Sequence, residues 1–78
     1  MSSERPSSQP AQALARVLRE ARGRTGLSAA EFAARAGIEP SDYQALERGE
    51  RAPELETIVR IADALGLRAS DLLDRAGL

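Results

Sequence analysis

The fold is decided by residues 27–49, which read LSAAEFAARAGIEPSDYQALERG. Ser28 and Glu31 have the spacing of a capping box, in which each side chain bonds the backbone of the other residue and starts a helix. Gly37 ends that helix, because glycine adopts the left-handed conformation that commonly closes helices. A second helix begins at Pro40, a residue favoured in the first helical turn. The stretch therefore predicts two short helices joined by a tight turn.

Apolar residues recur three and four positions apart along most of the chain, which is the period of helices with one buried face. The five predicted helices span about 11–22, 28–36, 40–48, 54–65 and 69–75. The residues expected in the core include Leu18, Phe32, Ile38, Leu46, Ile58, Ala62 and Leu65. The fourth helix has an expected inner face of Leu55, Ile58, Val59, Ala62 and Leu65. No segment has the pattern of a strand, so we expect an all-α fold.

Composition limits the chain to one small domain and excludes several kinds of site. The 78 residues contain no cysteine and no histidine, and all eleven basic residues are arginine. Disulfides and thiolate metal sites are therefore excluded, as is the commonest general base. No nucleophile has an obvious activating base. We expect neither enzyme activity nor a cofactor.

The first ten residues are rich in serine, proline and glutamine. We expect residues 1–10 to form a disordered arm that precedes one domain over residues 11–78. The arm lacks the apolar stretch of a signal peptide. No apolar run in the chain is long enough to span a membrane. Together these features predict a cytoplasmic protein without a membrane partner.

Several short motifs occur along the chain in one order: LREAR at 18–22, GLS at 26–28, AGI at 36–38, LERGER at 46–51 and IADALG at 61–66. With this order and spacing, the chain from about Leu14 to Leu73 resembles the Cro/CI-type (XRE-like, lambda-repressor-like) helix-turn-helix domains. The resemblance implies a compact five-helix DNA-binding domain with its helix-turn-helix motif at about residues 28–47. It also implies a structural salt bridge between Arg22 and Glu47, which would join the first helix to the third.

In that family the third helix enters the major groove of DNA, and the resemblance assigns the contacts position by position. The start of the second helix normally supplies a glutamine, and that position is Ala29 here. Ser28 and the free backbone amides of the first helical turn could still bind a phosphate. The base-reading positions are Glu39, Pro40, Ser41, Gln44 and Ala45, with Asp42 alongside. The arginines expected at phosphates, which position a protein without specifying sequence, are Arg24, Arg48 and Arg51.

The predicted reading helix is unusually acidic. Residues 39–57 hold six carboxylates and two arginines, a net charge of −4, whereas residues 11–38 hold five arginines and two carboxylates, a net charge of +3. The side chains of Pro40 and Ala45 cannot hydrogen-bond base edges. Glu39 and Asp42 either accept a hydrogen bond from cytosine or complement the dipole at the start of the helix.

Two functions are compatible with these residues. The first is a small transcription regulator that binds double-stranded DNA as a homodimer, because one recognition helix contacts few base pairs. Its dimer surface is expected at the fifth helix and the C-terminus, where the apolar residues are Leu72, Leu73 and Leu78. The second is a protein-interaction module on the same fold. In that alternative the acidic third helix and an exposed edge of Tyr43 face a protein partner.

Overall fold

A computed structural model describes residues 8–78, and within that range the chain forms five α-helices and no strand. The helices are α1 (Ser8–Thr25), α2 (Ala29–Ala36), α3 (Pro40–Glu47), α4 (Leu55–Leu65) and α5 (Ala69–Arg75). α3 packs against α1 and α2, while α5 packs against α1 and α4. The predicted all-α fold of five helices is confirmed. None of the helices in the described part is long and apolar enough to cross a membrane.

α1 begins earlier than the sequence predicts. Its first residue is Ser8, so residues 8–10 belong to the helix and not to a disordered arm. Pro10 is compatible with this start, because the backbone N–H that proline lacks has no partner in the first helical turn. The remaining part of the predicted arm, residues 1–7, lies outside the described residues.

α1 also continues past its predicted end at Arg22. Gly23 lies inside the helix, although glycine in a helix costs about 1 kcal/mol relative to alanine. The last helical residue is Thr25, whose hydroxyl donates a 2.6 Å hydrogen bond to the carbonyl of Arg22. The left-handed turn falls at Gly26, where φ is +77°. Of the two glycines that could break this helix, Gly23 and Gly26, only Gly26 follows its end.

The turn between α2 and α3 forms as the sequence predicts. The Glu31 amide donates to the Ser28 hydroxyl at 3.1 Å, and the Ser28 amide donates to the Glu31 carboxylate at 2.8 Å. Gly37 has a φ of +75°, and the next amide, that of Ile38, donates back to Ala33 at 2.9 Å. A residue with a Cβ would be strained here by about 1–2 kcal/mol.

The core is built from the inner faces of all five helices. Its buried residues are Leu14, Val17, Leu18, Phe32, Ala33, Ala36, Tyr43, Leu46, Ile58, Ile61, Ala62 and Leu72. Five of the seven predicted core residues are in this set. The other two, Ile38 and Leu65, are half-buried and pack against its edge. At the centre, the rings of Phe32 and Tyr43 lie 5.3 Å apart and join α2 to α3.

The predicted inner face of α4 is too wide. Leu55 is 68% exposed and Val59 is 42% exposed, whereas Ile61, which the prediction omitted, is fully buried. The buried face is centred on Ile58, Ile61 and Ala62. α4 is amphipathic as expected, but its contacts with α2 and α5 set a rotation that leaves one edge of the apolar stripe in water.

The predicted dimer surface also changes. Leu72 is fully buried in the core, so it is not available to a partner. Leu73 is half-buried, and Leu78 is 55% exposed. The sequence analysis counted Leu72 among the apolar residues available to a partner. Because α5 inserts Leu72 between the other helices, less apolar surface is left for a dimer than predicted.

Candidate nucleic-acid interface

α3 has one buried face and one face in solvent. Tyr43, Leu46 and Glu47 are buried. With about 100° of rotation per residue, the opposite face is formed by Ser41, Gln44, Ala45 and Arg48. Three of these are exposed and Ala45 is half-buried; Glu39 and Pro40 are exposed at the start of the helix. Of the predicted base-reading positions, the structure brings Ser41, Gln44 and Ala45 together on the outer face of α3, whereas Glu39 precedes the helix on the side of α4.

The inner end of α3 is fixed by Arg22 and Glu47. The Arg22 Nε donates to Glu47 Oε2 at 2.6 Å, and its Nη2 donates to Oε1 at 3.0 Å. A third donor, Nη1, bonds the carbonyl of Leu27 at 3.0 Å, just before α2. The side chain of Glu47 is only 9% exposed. One guanidinium group therefore joins α1, α3 and the start of α2.

Electrostatics favours the charged form of this pair. Burial by itself would raise the pKa of Glu47, but the hydrogen bonds and positive charge of Arg22, together with contributions from Tyr43 and Arg19, outweigh burial and hold that pKa below its ordinary value. The hydrogen bond to Glu47 in turn raises the pKa of Arg22. Beside them, burial and the Glu47 carboxylate raise the pKa of Tyr43 far above its ordinary value, so its hydroxyl stays protonated.

The start of α2 is less open to a phosphate than the sequence suggests. The hydroxyl and the amide of Ser28 are both engaged with Glu31 in the capping box. Ala29 is half-buried and packs against the core. A phosphate here would meet the Glu31 carboxylate, and like charges repel. These positions remain at the surface, but they offer few free donors.

Arg48 and Arg51 lie at the end of α3 and in the loop that follows it. Both are exposed and both face carboxylates: Arg51 Nη2 lies 3.0 Å from Asp42 Oδ1, and Arg48 Nη1 lies 3.8 Å from Glu50 Oε2. Sequence reasoning missed these pairs. Asp42 and Arg51 are nine residues apart, and only the path of the loop after α3 brings them together.

Comparison with known proteins identifies the family. The sequence profile of the helix-turn-helix domain family matches residues 13–76. The chain belongs to this family of DNA-binding transcription regulators. No curated protein matches the sequence.

Solved structures agree with this assignment. Two crystal structures of the clp gene regulator ClgR from Corynebacterium glutamicum are 29% identical over 87% of this chain, with TM-scores of 0.80 and 0.79. The match covers 72% of one solved chain and 88% of the other. The hypothetical transcription factor NHTF from Neisseria is 32% identical over 94% of this chain and 83% of its own, with a TM-score of 0.77.

Arg24 is separate from the other predicted phosphate contacts of this helix-turn-helix domain. It lies at clefts between α1 and α5, where it shares the lining with Arg75. The reason is helical rotation: two residues after Arg22 the helix has turned by about 200°. Since Arg22 faces α3, Arg24 faces away from it. The structure therefore groups Arg48 with Arg51 and leaves Arg24 apart.

A contact that sequence reasoning missed supports the turn of the motif. Arg60 on α4 donates from Nη1 to the carbonyl of Gly37 at 3.1 Å and from Nη2 to Glu56 at 3.1 Å. Arg60 is 23 residues from Gly37, and no local pattern in the sequence links the two. This bond ties α4 to the junction of α2 and α3.

Tyr43 does not have the exposed edge that the protein-interaction alternative requires. Tyr43 is fully buried, and its ring packs on Phe32 in the core. The alternative of a protein-interaction module relied on this edge for an aromatic contact. Its remaining basis is the acidity of α3, and both carboxylates of this helix, Asp42 and Glu47, pair with arginines.

Proposed function

We propose that this helix-turn-helix domain is a sequence-specific transcription regulator that places α3 in the major groove of duplex DNA. The observation that carries the proposal is the outer face of α3, with Ser41, Gln44, Ala45 and Arg48 opposite the anchored face. Ser41 and Gln44 can donate to and accept from base edges, and a methyl group such as that of Ala45 can contact thymine. As a DNA-binding protein, it would act in the cytoplasm.

Arg48 and Arg51 are the proposed phosphate contacts. Both are exposed at one end of α3, where they flank a helix placed in the groove. Such contacts fix the register of a protein on DNA but do not read its sequence. Arg24 lies by α5 and is left out of this group. Ser28 and Ala29 are secondary contacts, because the capping box occupies the donors of Ser28.

We further propose that the domain binds as a homodimer. A single α3 reads few base pairs, and two copies on half-sites one helical turn apart would double the contact. The proposed dimer surface comprises α5 and the residues that follow it. Leu73 and Leu78 provide apolar surface there, since Leu78 is 55% exposed and Leu73 is half-buried.

The salt dependence of DNA affinity tests the phosphate contacts. Two arginines per subunit would release about two counterions, so log affinity should fall against log salt with a slope of about −2 per subunit. Arg48→Ala or Arg51→Ala should flatten the slope by about one unit and weaken all duplexes alike. Fluorescence anisotropy with one duplex selected from genomic fragments, repeated over a series of salt concentrations, measures both the affinity and its slope against salt.

Arg16→Ala is the matched control, because it removes an exposed arginine on α1, outside the proposed dimer surface. We expect it to leave the slope unchanged. If no fragment of a genomic library binds the wild-type protein at low salt, the proposed function is wrong. If Arg16→Ala flattens the slope as much as Arg51→Ala does, the proposed phosphate contacts are wrong.

A further inference from the structure

We infer that Asp42 is an intramolecular competitor of the DNA phosphate group: it binds Arg51 in the free protein and thereby lowers the affinity for every duplex. The inference rests on the proposed function, since Arg51 is a proposed phosphate contact. It assigns a role to the acidity of the recognition helix. Asp42 then sets how tightly the domain holds DNA without reading any base.

The geometry places Asp42 where it can control Arg51. Asp42 lies on the flank of α3, and its Oδ1 is 3.0 Å from Arg51 Nη2. The two side chains share a groove between α3 and the following loop, which is also lined by Ile38, Leu46 and Pro53. Asp42 is thus held beside the outer face of α3 and next to the proposed path of the phosphates.

A carboxylate and a phosphate compete for the same guanidinium donors. Both are anions that accept charge-assisted hydrogen bonds from arginine, often through two parallel bonds. To give a phosphate both of its outer donors, Arg51 must turn away from Asp42. The released carboxylate then stays near the phosphate and repels it.

The pair is exposed, so it can exchange readily. The side chains of Arg51 and Asp42 are 56% and 53% exposed. Exposed ion pairs are weak, and losing one corresponds to about a twofold to fivefold change in an equilibrium constant. Competition of this size adjusts DNA affinity without abolishing it.

The second proposed phosphate contact has a similar neighbour. Arg48 lies 3.8 Å from Glu50, and both side chains are more than half exposed. At this longer distance the competition is weaker than at Arg51. Residues 39–57 have a net charge of −4, yet they include two arginines that can bind DNA phosphates once their carboxylate partners are displaced.

Asp42→Asn tests the inference on the full chain. Removing the carboxylate frees Arg51, a change of about twofold to fivefold, and also removes the repulsion of the bound phosphate, so affinity for a mixed-sequence duplex at low salt should rise about threefold to tenfold. Asp63→Asn is the matched control: it makes the same chemical change at an exposed residue of α4, outside the proposed dimer surface, and raises the net charge equally. We expect it to change affinity less than about twofold, because its charge is remote from α3 and screened. Melting curves of all variants confirm that each one is folded at the temperature of the binding assay.

A double mutant separates competition from general charge. In an Arg51→Ala background, Asp42→Asn should raise affinity clearly less than it does in the wild type, because the arginine for which Asp42 competes is gone and only its repulsion of the phosphate is removed. If Asp42→Asn tightens binding equally with and without Arg51, the inference is overturned. The inference is also overturned if the wild type binds DNA and Asp42→Asn changes affinity no more than Asp63→Asn does; the proposed function then still stands.

Two further outcomes concern both proposals. If the wild type binds no duplex but Asp42→Asn does, the competition is supported and the proposed function of the natural sequence fails. If neither protein binds any duplex at low salt, both are overturned. Binding of the wild type and of Arg51→Ala to heparin, a sulfated polyanion, then shows whether Arg51 is accessible to any anionic polymer.

Discussion

Two arginine–carboxylate pairs hold α3, one on its inner side and one on its outer side. Arg22 and Glu47 meet at 2.6 Å, and Arg51 and Asp42 meet at 3.0 Å. The lengths are similar, but the surroundings are not. The Glu47 side chain is 9% exposed, whereas that of Asp42 is 53% exposed.

This difference in exposure determines how much each ion pair contributes to the stability of the fold. Breaking a buried pair from one side leaves a charge without water or a partner, which costs about 3–5 kcal/mol. An exposed pair contributes about 0–1 kcal/mol, because water and salt screen both charges. The inner pair therefore fixes the orientation of α3, whereas the outer pair is weak enough to be broken by another anion.

The largest predicted effect is on stability. Arg22→Ala removes three hydrogen bonds and leaves Glu47 buried and unpaired. The free energy of unfolding should fall by about 3 kcal/mol, near the lower end for a buried pair because Arg22 is partly exposed. Arg51→Ala should lower it by less than about 1 kcal/mol. Urea titrations measure both, and equal losses would contradict the comparison.

The second prediction concerns acid. Arg22 holds the pKa of Glu47 below its ordinary value of 4.5, despite burial. A carboxylate with a lowered pKa stabilises the folded state above that ordinary value, and this contribution is lost as the pH falls through the lowered pKa. The difference in unfolding free energy between wild type and Glu47→Gln should therefore be largest near neutral pH and shrink below pH 4.5. A constant difference across pH would mean that the charge of Glu47 does not matter.

The smallest predicted effect is at the C-terminal end of α3. Arg19 Nη1 donates to the backbone carbonyl of Glu47 at 2.6 Å. A cation at this end of a helix stabilises it by about 0.3–1 kcal/mol when exposed. Arg19→Ala should cost an amount in this range in a urea titration. Arg16→Ala, one turn earlier on α1, should cost less; a larger cost for Arg16→Ala would show that Arg19 does not cap α3.

Local features of the fold were predictable from the sequence. The capping box of Ser28 and Glu31 and the left-handed turn at Gly37 lie where their spacing predicts. Each of these features depends on residues a few positions apart, so the chain encodes them directly. The helix-turn-helix resemblance added Arg22 and Glu47, which the structure places in contact.

Features that depend on packing were not predictable. Gly23 continues α1 where a break was expected, and Leu55 and Val59 are exposed. Periodicity identifies an apolar stripe but does not say how far a helix rotates when it packs. Arg24 faces α5 for the same reason: its direction follows from the anchoring of Arg22 on α3.

The sequence by itself determined the five helices, the turn between α2 and α3, and the acidity of the recognition helix. The tertiary structure alone decided which charges meet: Asp42 with Arg51, and Arg60 with the carbonyl of Gly37. The physical reason is the separation of the interacting residues along the chain. Helix caps and turns form between near neighbours in the chain, whereas the distance between remote charges is set only when the helices and the loop after α3 have packed.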